Sequence, residues 1–180
     1  MLRFKLEVEA RMNVNEAIHE RRSVRRFKPE AIKESDINEL LEAAIKAPTA
    51  GNVQPWKFSV IRKEEVKRSL SVAALNQGWV LEAPVVVVVM ADLDRAARSY
   101  GRRGVELYCI QDTAAAIQNI LLAGVQKGIY GCWIGAFLEE QVSSILNLPS
   151  SIRPLALLPL GYPERVPAAP PRLGVQEVLW

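Results

Sequence analysis

Four arginines lie within six residues near the start of the chain, in the segment 21-RRSVRRF-27, with Ser23 between them. A guanidinium can bind two oxygens of one phosphate, and a hydroxyl between two such pairs adds another hydrogen bond. In a helical turn, Arg21 and Arg25 would share one face, and Arg22 and Arg26 the next. These residue types suit a phosphate monoester. The alternative is a solvated basic face; nucleic-acid binding is disfavoured because no RNA-binding aromatic pattern or recognition helix accompanies the cluster.

Two further segments could bind a planar, polar ligand. The loop 48-PTAGNVQPW-56 offers a hydroxyl group, two carboxamides and a glycine. Carboxamides donate and accept, so such a loop can recognise the mixed edge of a heterocycle or a polyol; a simple helix-to-strand connection is the alternative. In 131-GCWIGAF-137, Gly135 and Ala136 leave backbone N–H groups open to a close-lying ligand. Close backbone packing within a strand would also explain these small residues.

Other catalytic and metal-binding patterns are absent from the sequence. It contains no glycine-rich nucleotide signature, hydrolase elbow or metalloprotease motif. His19 is the only histidine, and Cys109 and Cys132 form no CxxC pair. A structural zinc site, a disulfide framework and an ordinary histidine triad are therefore excluded.

The composition is that of an ordinary globular domain. The chain has 180 residues, 49% of them apolar and 24% charged, and its net charge is only +3. These values exclude collagen-like, disordered and disulfide-rich classes, and they imply no general attraction to polyanions. The longest apolar run, 83–91, is too short to span a bilayer, and the first ten residues lack a signal-peptide core. With two unpaired cysteines, this favours a cytoplasmic protein that binds neither membrane nor nucleic acid.

Apolar periodicity predicts the elements that must position these segments. Residues 2–9 alternate as in a strand, although residues 1–11 could instead be a leader before Met12. Helices are predicted over 15–20 (capped near Asn13 or Asn15), 35–47, 63–74, 105–127 and 139–147, and strands over 56–61, 85–91, 155–161 and within 128–137. Residues 92–104 are polar and are predicted to form a surface connection. Helices and strands do not alternate regularly, which favours an α+β fold over a doubly wound sheet.

The longest predicted helix and the tail both indicate a second subunit. No charged residue lies between Thr113 and Gln126, as expected for a helix in the core, in a subunit interface, or in both. Apolar and small residues recur every three or four positions along the whole predicted helix, 105–127: Leu107, Ile110, Ala114, Ile117, Leu121 and Gly124. The tail, 162–180, is proline-rich with an apolar end. It is typical of an arm that reaches across to another subunit, or alternatively of a tail folded back on its own sheet.

Six segments taken in order resemble the nitroreductase family of FMN-dependent flavoproteins. They are RRSxR at 21–25, APTAGNVQPW at 47–56, EAPVVVV at 82–88, QDTAAAIQNILLA at 111–123, GIYGCWIG at 128–135, and LGYP with PPR between 160 and 172. The resemblance covers residue 12 to about residue 173. Residues 2–11 lie outside it, which favours the leader.

The resemblance implies an α+β fold with a central, mainly antiparallel sheet flanked by helices. It also implies an obligate homodimer with two FMN sites at its interface. Residues 1–11 would be an extension or leader, and 12–180 one FMN-binding domain whose arm, 162–180, is exchanged between subunits. Hydride would pass from NAD(P)H to flavin N5, and then to a nitroaromatic, quinone or similar acceptor, by ping-pong kinetics. The cofactor supplies this chemistry, so no catalytic side chain is expected.

The matched motif positions imply roles for individual residues. Arg21, Ser23 and Arg25 would hold the flavin phosphate and ribityl chain, with Arg22 close by and Arg172 returning to the phosphate. The other subunit's loop would supply Pro48, Thr49, Asn52 and Gln54. Asn76 would reach the flavin edge, and the backbone at Gly135 and Ala136 would face N5.

The sequence departs from the family in three places. The connection 92–104 is short where larger members carry an insertion that helps to cover the flavin. Gly135-Ala136 replaces a Glu-Gly pair found in some members, and Trp79 stands near a position that is lysine in some. Trp79 could stack on the substrate or fill the core. These differences leave open the acceptor and the choice between NADH and NADPH. A non-catalytic flavin carrier or sensor, and a specialised dehalogenase or flavin-cleaving member, remain as alternatives.

Overall fold

The structure is a computed structural model that describes residues 12–180. The strand predicted over 2–9 lies outside the described residues. Within them, the helices are α1 (Val14–Glu20), α2 (Glu34–Ala44), α3 (Glu64–Ala73), α4 (Trp79–Glu82), α5 (Leu93–Arg103), α6 (Cys109–Gln126), α7 (Glu139–Ile145) and α8 (Val175–Val178). The strands are β1 (Trp56–Ile61), β2 (Val85–Asp92), β3 (Tyr130–Gly131) and β4 (Ile152–Gly161).

A four-stranded antiparallel sheet in the order β1-β2-β4-β3 forms the centre of the molecule. Its central strand β2 is almost entirely buried because helices cover both faces of the sheet. Successive side chains of a strand point to opposite faces. Val85, Val87 and Val89 therefore pack with α2 and α6, whereas Val86, Val88 and Met90 pack with α3, α4 and α7. The predicted α+β fold is confirmed.

Local sequence explains where the first two helices begin and end. Asn13 accepts a hydrogen bond from the Glu16 N–H at 3.0 Å and donates its own N–H to the Glu16 carboxylate at 2.8 Å, which caps α1 as predicted. Helix α2 buries Ile37, Leu40 and Ala44. It ends three residues before the predicted boundary of residue 47, and the side chain of Ile45 is 47% exposed.

The surface connection predicted over 92–104 is wrong, because these residues form helix α5. Asp92 caps it by accepting the Arg95 N–H at 2.8 Å, and Ala96 is buried beside Ala91 and Cys109. A helix that buries one small residue needs few apolar positions, so its sequence resembles a polar loop. A single π-helical turn, Gly104–Tyr108, then leads into α6, which starts at Cys109 rather than at residue 105.

The arginine segment forms the outermost strand-like layer at the β3 edge. Ser23 bridges to Gly131 in parallel, and the Val24 N–H donates to the Gly131 carbonyl oxygen at 3.0 Å. Val24 and Phe27 are buried with Ala83. The segment is therefore held by the bridge to Gly131, by a second bridge between Phe27 and Pro163, and by two buried apolar side chains. None of the helices within residues 12–180 has the length and apolar character needed to cross a membrane.

Substitution of Gly131 tests the packing at the β3 edge, because there is no space for a side chain at this position. A Cβ atom would lie 2.5 Å from Leu160 Cδ2 and 2.8 Å from the Pro159 carbonyl oxygen. We expect Gly131→Ala to lower the free energy of unfolding by about 1–3 kcal/mol, as overpacking usually does. Gly135→Ala is the control, since no atom lies within 4 Å of its Cβ position. Urea titration of both variants measures the difference; equal stability would contradict the packing at this edge.

Candidate functional site

The arginine segment is extended, so the helical-face arrangement considered from the sequence does not occur. Helix α1 ends at Glu20, and the Arg21 N–H donates to the Ala17 carbonyl oxygen at 3.0 Å. Beyond it, Val24 turns into the core, while the Arg25 side chain stays exposed. The buried residues thus fix the backbone, and the guanidinium groups project from it.

The tail brings Arg172 close to this segment. A cavity of about 260 Å³ is lined by Arg21, Arg22 and Arg172, together with Ile18, His19, Ala169 and Pro170. No carboxylate lines it. Three guanidinium groups around one cavity of this size are suited to an oxyanion.

Neighbouring carboxylates do not neutralise these arginines. Within residues 12–180, the ion pairs formed by arginine involve Arg62, Arg68, Arg102 and Arg153 instead. Arg22 Nη1 donates to the carbonyl oxygens of His19 and Arg21, while its buried Nε has no acceptor in the described chain. A buried donor without a partner is costly, and an external acceptor would remove that cost.

Arg25 lies against Trp79 and Cys132 at the same end of the molecule. Its Cζ is 5.5 Å from the centroid of the Trp79 ring, a cation–π distance. Trp79 is half-buried, and its Nε1 is buried without an acceptor among residues 12–180. Burial raises the pKa of the Cys132 thiol, and the nearby positive charge of Arg25 partly opposes this pKa shift. Trp79 therefore does more than fill the core, because it holds a guanidinium over its face.

The short helix that carries Trp79 is anchored by a buried lysine. Lys67 Nζ donates to the carbonyl oxygens of Leu81 and Ala83 at 3.0 and 2.6 Å. Burial lowers the pKa of Lys67. These two hydrogen bonds connect α3 to the end of α4 and so fix the position of the indole.

Gly135 and Ala136 lie beside the C-terminal end of α3, close to Asn76. Gln77 Nε2 donates to the Ala136 carbonyl oxygen at 3.0 Å, and the Leu138 N–H donates to the Ala73 carbonyl oxygen at 2.9 Å. Asn76 is exposed and has a left-handed φ of 61°. The backbone at Gly135 and Ala136 is also exposed, with open space beside Gly135.

The loop 48–54 lies at the other edge of the sheet, where it leads into β1. Thr49 Oγ1 accepts the Gln54 N–H at 3.1 Å, and Gln54 Nε2 donates to Asn52 Oδ1 at 3.0 Å. Gly51, Asn52 and Gln54 all have left-handed φ angles, so the loop has one defined shape. Pro48 is exposed at its start. One chain therefore does not bring Pro48, Thr49, Asn52 and Gln54 to the arginine segment.

The sequence reasoning missed the residues that hold this loop. Asp112 of α6 accepts the Ala50 N–H at 3.0 Å, Arg95 of α5 donates to the Val53 carbonyl oxygen, and the Tyr100 ring packs over Gly51. Asp112 is only 6% exposed, and burial raises the pKa of its carboxyl group, while the hydrogen bond from Ala50 lowers this pKa. Asp112 is the one acidic residue in the otherwise uncharged helix α6, and this position in the sequence could have indicated that it has a buried partner.

Replacement of Asp112 separates its charge from its role as an acceptor. Because its folded-state pKa is raised, the ionised form destabilises the fold above that pKa, and protonation at lower pH relieves the cost. Asp112→Asn keeps an Oδ1 acceptor without the charge. We expect it to unfold at higher urea concentration than wild type at pH 7, with a difference that shrinks as the pH falls through the carboxylate range. Asp112→Ala, which removes the acceptor, should be less stable than Asp112→Asn at both pH values. A difference independent of pH would show that the buried charge of Asp112 is not the source of the cost.

Comparison with known proteins agrees with this geometry. The model of the nitroreductase family matches residues 18–80 and 69–162. An NADH dehydrogenase of Thermus thermophilus is 34% identical, with 94% of this chain and 96% of that protein covered, and an FMN reductase (NADPH) of Bacillus subtilis is 31% identical, with 92% and 72% covered. The NADPH:FMN oxidoreductase of Vibrio harveyi, solved in complex with NAD+, superimposes with a TM-score of 0.85 at 27% identity, covering 93% of this chain and 76% of that one. The chain belongs to the nitroreductase family.

Proposed function

We propose that the protein is an FMN-dependent oxidoreductase that transfers hydride from NAD(P)H, by way of flavin N5, to a nitroaromatic, quinone or similar small acceptor. Family membership gives the enzyme class, a nitroreductase-like flavin oxidoreductase that uses NAD(P)H. The alternation of two substrates at one flavin would give ping-pong kinetics. The observation that supports this proposal most directly is the cavity lined by Arg21, Arg22 and Arg172.

The residues present fit the phosphate end of FMN. A phosphate monoester dianion would give the three guanidinium groups of the cavity a shared counter-charge, and it would offer Arg22 Nε an acceptor. Ser23 lies on the neighbouring stretch of the same extended segment. We assign Arg21, Arg22, Ser23 and Arg172 to the phosphate and ribityl chain on this basis.

The other residues at this end would orient the ring. When bound, FMN accepts a hydride at N5 and delivers it to the second substrate. The exposed backbone at Gly135 and Ala136 would present N–H groups to the N5 edge, and the exposed Asn76 lies next to Gln77, which holds Ala136 in place. Arg25 would place positive charge beside the ring, and its position is fixed by Trp79.

Pro48, Thr49, Asn52 and Gln54 would complete this site from a second copy of the chain. They lie at the β1 edge and the arginines at the β3 edge, so a two-fold dimer can unite what one chain separates. Helix α6 supports this proposal. Its buried side faces the sheet, while on its outer side Ile110 is 40% exposed and Ala114 is half-buried, with no charge between them and Gln126 apart from the buried Asp112.

An apolar groove continues the outer surface of α6 towards α1. It encloses about 290 Å³ between Val14, Ala17, Ala43, Asn119, Leu122, Ala123 and Gln126. The tail ends in exposed apolar residues, among them Val178, Leu179 and Trp180. We propose that these surfaces meet the second copy and that the tail end is the exchanged arm. The two free, buried cysteines accord with a reducing compartment, and we propose the cytoplasm.

The visible spectrum of the purified protein, followed by anaerobic addition of NADH or NADPH, tests the proposed function. Flavin bands that bleach on addition are the expected result. Flavin bands that persist would identify a carrier or sensor. A colourless protein that cannot take up FMN would overturn the proposal.

Arg21→Ala should weaken FMN binding, because it removes one charged donor of the phosphate cavity. We expect a loss of about 1.5–3 kcal/mol, the usual value of a charge-assisted hydrogen bond. Arg68→Ala is the control for the loss of an arginine. Arg68 lies on the exposed face of α3, where it pairs with Glu64. Fluorescence titration of the apoproteins with FMN gives both dissociation constants. Equal constants would refute the role of Arg21.

Ala114→Glu should separate the subunits and release FMN together, since it buries a charge in an uncharged interface. A large fall in dimer affinity is expected because an unpaired buried charge is costly. Ala31→Glu adds the same charge at an exposed position before α2 and should leave the dimer intact. Analytical ultracentrifugation detected at a flavin wavelength measures both quantities. A dimeric, yellow Ala114→Glu protein would exclude this face from the interface.

A further inference from the structure

Two arginines beside the proposed flavin site have no role in it. Arg26 and Arg165 line a second cavity of about 420 Å³ together with Ser23, Arg25, Glu164, Pro167 and Ala168. This cavity shares Ser23 and Arg25 with the residues assigned to the flavin, so it adjoins the site where a co-substrate must approach. A role for it in co-substrate binding therefore rests on the proposed function.

The backbone brings the charges of this cavity together. The Lys28 N–H donates to the Tyr162 carbonyl oxygen at 2.8 Å, and the Glu164 N–H donates to the Arg26 carbonyl oxygen at 3.2 Å, on either side of an antiparallel bridge between Phe27 and Pro163. In this register Arg26 lies opposite Glu164, and Arg165 is the next residue along the tail. Arg25, Arg26 and Arg165 therefore line one cavity, where their like charges repel one another.

No ion pair within residues 12–180 neutralises these three arginines. Glu164 is the one carboxylate that lines the cavity, and it forms no ion pair with Arg25, Arg26 or Arg165 within residues 12–180. Three arginines and one glutamate thus line the cavity. The lining therefore has an excess of positive charge, which an anion from outside would neutralise.

We propose that this cavity binds the 2′-phosphate of NADPH, so that Arg26 and Arg165 make the enzyme prefer NADPH to NADH. The two dinucleotides differ only in this phosphate monoester, a dianion that bidentate arginines bind well. The volume of about 420 Å³ lies within the usual range of small-ligand pockets. Glu164 opposes this preference, because a carboxylate at such a position accepts the 2′-hydroxyl of NADH. Because three arginines outnumber this one carboxylate, the net positive charge of the lining favours the 2′-phosphate of NADPH over the 2′-hydroxyl of NADH.

The phosphate of FMN itself is the other source of this chemistry. The first cavity already offers it three arginines without a carboxylate, whereas Glu164 would repel it in the second. The co-substrate is therefore the better occupant. The experiment must separate the two phosphates.

Titration of the FMN-loaded protein with adenosine 2′,5′-bisphosphate and with adenosine 5′-monophosphate measures the 2′-phosphate contribution without turnover. Wild type should bind the bisphosphate roughly 10- to 100-fold more tightly, the range expected for one or two charge-assisted contacts. Arg165→Gln and Arg26→Gln should each lose most of this ratio. Arg68→Gln should keep it, and Glu164→Gln should increase it.

Steady-state kinetics supply the second readout. Arg165→Gln should lower kcat/KM for NADPH by about tenfold and leave that for NADH nearly unchanged, with the same FMN dissociation constant. Equal affinities of wild type for the two adenosine nucleotides, or equal losses for NADPH and NADH, would overturn the proposal. Weaker FMN binding with an unchanged NADPH-to-NADH ratio would assign the cavity to the flavin phosphate and overturn it as well. Absence of flavin and of any NAD(P)H oxidation in wild type would instead contradict the proposed function, and the nucleotide titration would still test the cavity.

Discussion

The burial of β2 on both faces is the constraint on which the rest of the molecule depends. Its alternating side chains pack against α2 and α6 on one side and against α3, α4 and α7 on the other, so both faces of the sheet are occupied by helices. Polar groups that must reach a ligand can lie only at the sheet edges. The arginine segment lies at the β3 edge, and the loop 48–54 lies at the β1 edge. A site that needs both is therefore divided by the same packing that stabilises the fold, and a symmetric pair of chains is the simplest arrangement that reunites it.

Electrostatics at the β3 edge sets the second constraint. The chain as a whole is close to neutral, with a net charge of +3, yet the two cavities beside residues 21–26 are lined by six arginines and one glutamate. Carboxylates elsewhere in the described chain pair with other arginines, such as Arg62 and Arg153. Buried Val24 and Phe27 hold the backbone in place despite the repulsion. This edge therefore carries an excess of positive charge, which a bound anion would neutralise.

Much of this organisation could be predicted from the sequence, because strong periodicity reports burial. The bounds of β1 were predicted to the residue, and β2 was predicted to within one residue, since a run of β-branched residues fits only a central strand. Helix α5 was missed because it buries little more than Ala96, and the start of α6 was misplaced because a π turn has no apolar period of its own. The hydrogen bond from the Ala50 N–H to Asp112, which fixes the 48–54 loop, joins residues far apart in sequence. Apolar periodicity carries no information about such a contact. The roles of the individual site residues toward a flavin stay predictions.

The tail divides into a first part that contacts its own chain and an end that stays exposed. Its first half folds back on its own chain: Tyr162 and Glu164 pair with the arginine segment, and Arg165 and Arg172 reach the two cavities. Its end exposes four apolar side chains, Val175, Val178, Leu179 and Trp180, and exposed apolar groups of this kind mark interaction surfaces. Prolines at 167, 170 and 171 restrict the backbone of the first part, and only Leu173 and Gly174 lie between Arg172 and the apolar end. Seating of the apolar end on a second subunit would therefore also position the tail arginines, and dimer formation and anion binding would reinforce each other.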